Sequence, residues 1–379
     1  MATPGLRDRN GNLKGTDFLH FYTLGSLAIE HRGQDLYDIN AQGAIAAAHV
    51  PEAAGIRYLP LYPPQVSILF APFAHLSYGW ALASWWILTG VIYGLCCYSV
   101  WRTCPNLRTH GTTVTILAIA FPAFFHLIAW GQTSALALAC FTLVFFLLRK
   151  QHDFLTGIVL GCLVFKPQLG LAAAIVFVSL GMWKIVVGAV LSAVGELSLG
   201  APYYGTGPLR SWLHSLRHVG AAMALLEPRP YQTHCLRTFW AMILPWTPAS
   251  LALYVVSSVV VLGWTIFVWK RSQSWPLRYA LLLLATVLIA PHLTVYDLVI
   301  LAPAILLLAD WLMAQPRTSA RGTMATLLYL VYLLPLVGPF SRWTHLQLSV
   351  VAMAYLSYLI WTETRSDTFS GSQIATHAG

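Results

Sequence analysis

A carboxylate is the first residue in this chain with a credible role in chemistry. Asp17 lies in GTDFLHFYTLGSLAIEHRGQDLYD, residues 15–38, a polar stretch ahead of a chain that otherwise reads like lipid. At a membrane surface an aspartate can take the proton from an attacking hydroxyl as a general base. The residues that follow it, FLHFY, mark an amphipathic interfacial stretch, and His20 within it is a candidate substrate contact. Thr16 or Asp17 ahead of a helical pattern also suits a helix N-cap, and spacing alone favours that role over the base.

A lysine is the second. Lys166 in FKPQLG (165–170) is flanked by apolar arms. An ammonium at membrane depth is costly and calls for an anion, either a carboxylate or a lipid phosphate; the alternative is snorkelling to the interface. The segment APHLTVYDLVILAP (290–303) places His292, Tyr296 and Asp297 at one turn. Asp297, at the head of an apolar run, needs a partner, and Lys166 or His292 can supply it; Thr294 can cap the same run. Gln132 in the turn WGQTS (130–134) either caps that turn or hydrogen-bonds a sugar hydroxyl. Tyr62 in YLPLYPP is a pocket wall or part of a rigid helix entry. In residues 201–248, RSWLHSLRH (210–218) spaces Arg210, His214, Arg217 and His218 on one helical face, as a headgroup-binding helix would. His234 and Arg237 in QTHCLRTFW follow, in reach of a phosphate.

Membrane helices must hold these residues. The chain is 58% hydrophobic and 9% charged, where a soluble domain carries about 25% charged residues. Apolar runs fall at 78–101, 112–129, 132–148, 154–165, 168–182, 185–200, 249–269, 277–290, 294–313, 323–339 and 346–361, which predicts an all-α polytopic membrane protein with about eleven transmembrane helices. YPPQVSILFAPFAHLS (62–77) is too short to span and reads as a re-entrant or interfacial helix. Short loops with Arg102, Arg108, Arg149, Lys150, Lys184, Lys270, Arg271, Arg278, Arg317, Arg321 and Arg365 are predicted to be cytoplasmic. That puts two long segments outside, 1–61 and 201–248. The assignment requires residues 154–182 to fold as a hairpin at Lys166-Pro167; one continuous helix would invert every later loop. Residues 1–363 form a single domain, and Ser/Thr/Gly-rich residues 364–379 read as a disordered cytoplasmic tail. Residues 1–16 carry no apolar signal-peptide core.

Several classes drop out. The scattered basic residues behind the net charge of +9 suit membrane lipid or a phosphate ligand rather than nucleic acid. The six cysteines show no disulfide framework and no metal-ligand spacing. There is no Walker loop, GxSxG, HExxH or dinucleotide fingerprint. No metal and no cofactor is expected.

Five blocks carry a resemblance: DFLHFYTLGSLAIEHRGQDLYD, YPPQVSILFAPFAHLSYGWALASWW, WGQTSALALACFTLVFFLLRK, GIVLGCLVFKPQLGL and APHLTVYDLVILAPAILLL. In order and spacing, over residues 15–313, they resemble glycosyltransferase family 87, whose best-known members are polyprenyl-phosphate-mannose-dependent α-1,2-mannosyltransferases. The resemblance implies a GT-C membrane fold in the plasma membrane and an inverting hexosyl transfer on the extracytoplasmic face. It implies a polyprenyl-phosphate-linked sugar as donor and a lipid or glycan hydroxyl as acceptor. Asp17 matches the general base of the first outer loop. Lys166, His292, His234 and Arg237 would meet the donor phosphate or lipid, and His20, Tyr62, Gln132, Tyr296 and Asp297 the substrates. Two departures stand out: the family has a helix before the catalytic loop, and its mannosyltransferases carry a Ser/Trp/His-rich block where this chain reads PHLTVYD. A transporter or flippase, predicting matched broken helices in two halves, and a non-catalytic membrane subunit are the alternatives.

Overall fold

The computed structural model describes residues 3–218, 220, 227 and 229–377, with side chains as far as Ser366. Regular structure among the described residues is helical, apart from isolated backbone bridges between Arg7 and Leu13 and between Thr233 and Thr294. In chain order the helices are α1 (Thr16–Ile29), α2 (Ile39–His49), α3 (Gln65–Ala74), α4 (Tyr78–Trp101), α5 (Gly111–Ile119), α6 (Pro122–Trp130), α7 (Ser134–Arg149), α8 (Asp153–Gly161), α9 (Pro167–Ser179), α10 (Trp183–Ser198), α11 (Gly200–Tyr204) and α12 (Gly207–His218). The main helices after them are Leu236–Ile243, Thr247–Arg271, Trp275–Ile289, Ala302–Ala314, Ser319–Leu333 and Leu348–His377.

Each predicted apolar run becomes helical, but the lengths differ. Among the described residues five stretches are long and apolar enough to cross a membrane: Tyr78–Trp101, Trp183–Tyr204, Thr247–Arg271, Val295–Ala314 and Ser319–Thr344. A sixth arises if the bent pair Arg108–Ile119 and Pro122–Trp130 counts as one span. The 45° bend follows from Pro122, which has no N–H to continue the ladder. Tyr93 donates to the Ala118 carbonyl at 2.8 Å and Tyr332 to the Leu117 carbonyl at 2.8 Å, covering the acceptors that the bend frees. The remaining runs form shorter apolar helices, among them Ser134–Arg149, Pro167–Ser179 and Trp275–Ile289.

The first segment is not the exposed interfacial stretch expected from its polarity. α1 is buried from Phe18 to Ala28 and lies against α3, so closely at Gly25 that any Cβ there would overlap the Phe70 carbonyl. Its polar residues tolerate this because they close onto their own helix. Thr23 donates to the Leu19 carbonyl at 2.8 Å and Ser26 to the Tyr22 carbonyl at 3.0 Å, which leaves no unmet hydroxyl. The stretch expected as a re-entrant or interfacial helix is α3, which packs one face on α1 and leaves Leu69 on its other face exposed. At the far end, the tail expected to be disordered from residue 364 continues the last helix, which runs Leu348–His377; a helix already nucleated by its apolar part extends at low cost.

The chain reverses at Lys166. A Cβ on Gly157 would overlap the Ile185 carbonyl, and one on Gly161 the Ala189 carbonyl and Ser192. Contacts thus advance in the same direction along α8 and α10, so these helices are parallel and α9, which connects them, must run the opposite way. The small residues Gly157, Gly161 and Gly188 let the backbones touch, as in membrane helix pairs without a hydrophobic drive to associate. The hairpin tip sits beside Ser134, the first residue of α7, whereas Arg149 ends α7. Lys270, Arg271 and Arg278 likewise flank the turn remote from Ile289. The basic loops therefore lie at the opposite helix ends from the tip.

Gly157→Leu is expected to part α8 from α10 and to lower the thermal unfolding midpoint in detergent strongly. Gly195→Leu on the same face-forming helix, where a Cβ meets nothing within 4 Å, should leave the midpoint nearly unchanged. For sidedness, single cysteines at Thr206 and Thr344 should react with an impermeant thiol reagent from one side of intact cells, and cysteines at Gln151 and Ser319 only after permeabilisation. Labelling of Thr206 and Gln151 from the same side would refute the hairpin.

Candidate active site

Two glycines bring Asp17 to the WGQTS turn. Gly15 precedes α1 with φ 64° and Gly131 ends α6 with φ 70°, a left-handed conformation that side chains resist. A Cβ on Gly15 would run into Leu82 and one on Gly131 into Phe18. The Gly15 amide donates to the Ala129 carbonyl at 3.3 Å, Tyr78 donates to the Gly15 carbonyl at 2.9 Å, and the Trp85 indole to the Gly131 carbonyl at 3.0 Å. Gly15, not Thr16 or Asp17, is the N-cap residue of α1. The Asp17 side chain is thereby released for another use.

That use is a hydrogen-bonded chain across four parts of the sequence. The Gln132 amide nitrogen donates to Asp17 Oδ2 at 2.6 Å and to the Tyr296 hydroxyl at 3.2 Å. Lys166 donates to Gln132 Oε1 at 3.3 Å, to Ser134 Oγ at 3.0 Å and to Asp297 Oδ1 at 2.7 Å. Ser134 donates to the same Asp297 oxygen at 2.6 Å. Asp297 Oδ2 accepts from the Thr294 amide at 3.3 Å, a capping box at the turn Val295–Leu301. The Tyr296 ring lies 5.1 Å from the Lys166 ammonium, within cation–π range. Gln132 (5%), Lys166 (4%) and Asp297 (2%) are buried, whereas Asp17 is only half-buried. Asp17 is the open end of the chain. Burial pushes its carboxyl up to about 6, with Asp297 adding to the rise and the Gln132 hydrogen bond and the Lys166 charge opposing it.

A second cluster was not foreseen. Glu227 Oε1 accepts from His292 Nδ1 at 2.7 Å and from Arg237 Nη2, while Glu227 Oε2 accepts from Thr238 Oγ1 at 3.3 Å. Arg237 also donates to the Pro291 carbonyl, which ties the cluster to the turn that carries Tyr296 and Asp297. Burial would raise the Glu227 carboxyl, but His292 and Arg237 hold it below the usual range. Glu227 is the sole carboxylate between Glu196 and Asp297 in a stretch with several cations, and that contrast was visible in the sequence.

The other expected site residues are distributed differently. His234 is buried with its Nδ1 at 2.7 Å from Ser349 Oγ, and burial holds it well below the usual histidine range, at about 3; it faces the last helix rather than an open anion site. Lys166 is no open phosphate ligand either, since its ammonium donates to three protein acceptors. His20 is buried and stacks on Tyr58, ring centroids 4.8 Å apart, and Tyr62 meets the edges of His20 and Phe21. These form the wall behind Asp17. α12 carries the expected basic face, and its Trp212 is buried with the indole donating to the Leu61 carbonyl at 2.9 Å. No group of three or more His, Cys, Asp or Glu among the described residues could hold a metal ion.

The ion pair makes a sharp expectation. Lys166→Ala leaves Asp297 charged and buried, which costs about 3–5 kcal/mol. Thermal unfolding in detergent should show this loss, and adding Asp297→Asn should recover part of it. Equal loss in the single and double variants would mean that the pair is not coupled.

The model of glycosyltransferase family 87 matches residues 61–291. The match takes in Tyr62, Gln132, Lys166, Glu227, His234 and Arg237, with Asp17 before it and His292, Tyr296 and Asp297 after it. No curated protein and no solved structure matches the chain.

Proposed function

The chain belongs to glycosyltransferase family 87, and from that premise we propose that Asp17 is the general base of an inverting hexosyl transfer. It is a membrane glycosyltransferase with several apolar helices. In the reading proposed, these adopt a GT-C-like arrangement of about eleven passes in the plasma membrane, with the site extracytoplasmic because the basic loops lie at the other helix ends. The donor is a polyprenyl-phosphate-linked sugar, mannose by analogy with the family's best-known members. The acceptor is a lipid or glycan hydroxyl.

The observation that carries this reading is the half-buried Asp17 at the end of a buried, fully paired chain. A base works best when its pKa lies near the working pH, and a carboxyl raised to about 6 is ionised at neutral pH yet holds a proton better than a free aspartate. In the step proposed, the acceptor oxygen attacks the anomeric carbon and its proton passes to Asp17. The bond from that carbon to the phosphate oxygen breaks, its electron pair leaves with the polyprenyl phosphate, and attack opposite the leaving group inverts the centre. Gln132 holds Asp17 in position, and Lys166 acts through Gln132 rather than on substrate. Arg237 supplies positive charge and His292 a ring N–H for the phosphate as its bond breaks; in the structure both face Glu227. Donor phosphate would displace the Glu227 carboxylate, which makes the same kind of contacts.

Asp17→Asn should lower transfer by about 10²–10⁴-fold with expression and thermal stability retained. The wild-type kcat/KM should be level above pH 7 and fall about tenfold per pH unit once pH drops below about 6, because protonation removes the base. Transfer of radiolabelled sugar from polyprenyl-phosphate donors to membrane lipids provides the assay. Full activity in the Asn variant would take Asp17 out of the mechanism.

A further inference from the structure

A second carboxylate lies in the membrane part of the chain, outside the Asp17 network. Glu196 is in the last turns of α10, within the candidate span Trp183–Tyr204. An ionisable group in such a span is expensive unless it has a partner. Among the described residues its one hydrogen bond is a long one, from Gln65 Nε2 at 3.4 Å. Gln65 is itself buried, 6% exposed, and its Oε1 has no hydrogen-bond partner.

Both residues line a cleft of about 350 Å³ between α3 and α10. Its remaining walls are apolar except for Thr133, whose buried Oγ1 lies beside the Tyr62 hydroxyl without completing a hydrogen bond. Thr133 adjoins Gln132, and Phe165, another wall, adjoins Lys166, so the cleft borders the Asp17 network. Its rim includes Leu69 of α3 and Leu199 just past α10, 54% and 63% exposed; Leu199 lies within the candidate span Trp183–Tyr204.

Three features define what fits. The walls call for an apolar body. The carboxylate and the orphaned amide oxygen are acceptors, so they call for donors such as hydroxyls. No Lys, Arg or His lines the cleft, so a phosphate would face Glu196 with nothing to offset the repulsion. We infer that this cleft is the acceptor site and takes a neutral, hydroxyl-bearing lipid that enters sideways from the bilayer. The donor's anionic end belongs instead with Arg237 and His292. The inference rests on the glycosyl-transfer reading for the ligand's role, but not for its chemistry.

The test uses the full chain in phosphatidylcholine nanodiscs and two photoreactive probes, a diazirine-bearing hexadecanol and its monophosphate ester. Peptide mapping reads the label on residues 65–70 and 196–199. The alcohol should label these segments about tenfold more than the ester, as like-charge exclusion implies. Glu196→Lys should reverse the preference, and Leu199→Trp at the rim should reduce both signals. If Glu196→Lys does not fold, Gln65→Leu decides, and should weaken alcohol labelling alone. Equal labelling by both probes, or an unchanged preference in the Glu196 variant, overturns the inference. Labelling needs no turnover. The expected pattern without any sugar transfer would therefore sink the glycosyltransferase mechanism and leave the cleft, while transfer without the pattern would do the reverse.

Discussion

The buried pair Lys166–Asp297 is the interaction on which the site depends. Neither charge is tolerable alone in an apolar interior, and at 2.7 Å each removes the other's cost only if their two loops are held together. That demand fixes the topology. Lys166 must be a hairpin tip, and the tip must meet the turn before Val295. Once they meet, Ser134 and Gln132 fill the remaining bonding positions, and the WGQTS turn is locked between them. The packing of α8 on α10 serves the same end, because without the close glycine contacts the short arms would not carry Lys166 to the depth where Asp297 waits.

Much of this was legible in the sequence, for a physical reason. A lysine and an aspartate in apolar surroundings each advertise the need for a partner, so Lys166–Asp297 was one of the pairings that cost allowed, beside Asp297 with His292 and Lys166 with a phosphate. The roles of Asp17 and α1 were less legible. Polarity in residues 15–38 suggested exposure, but Thr23 and Ser26 hide their hydroxyls against their own backbone, a device that composition does not reveal. The cap reading of Asp17 gave way at Gly15, whose left-handed conformation makes it the helix start. Glu227 and Glu196 are a different case. Each is an isolated carboxylate whose neighbours are apolar or cationic, and the same cost argument that singled out Lys166 applies to them.

The site also separates charge by position. One corner holds Arg237 and His292 around the Glu227 carboxylate. The α3–α10 cleft holds the Glu196 carboxyl and is lined by no Lys, Arg or His. In the proposed reaction, which joins a lipid-phosphate donor to a hydroxyl, such a division keeps the two partners in separate places. Discrimination then comes from repulsion as much as from attraction.

Gln132 explains how the Asp17 carboxyl and a buried lysine coexist in one cluster. Had Lys166 contacted Asp17 directly, its charge would have favoured the carboxylate strongly and lowered its proton affinity. The amide stands between them with opposite ends: Oε1 accepts from Lys166 and Nε2 donates to Asp17. The lysine fixes the amide's orientation, since an ammonium has only donors to offer, and the orientation in turn fixes the carboxylate. Lys166 spends its charge on Asp297, so what reaches Asp17 is geometry with only a weak residual field. Burial can then raise the Asp17 carboxyl to about 6. The costly ion pair thus sits one residue away from the carboxyl that it orients, because in direct contact it would lower that carboxyl's proton affinity.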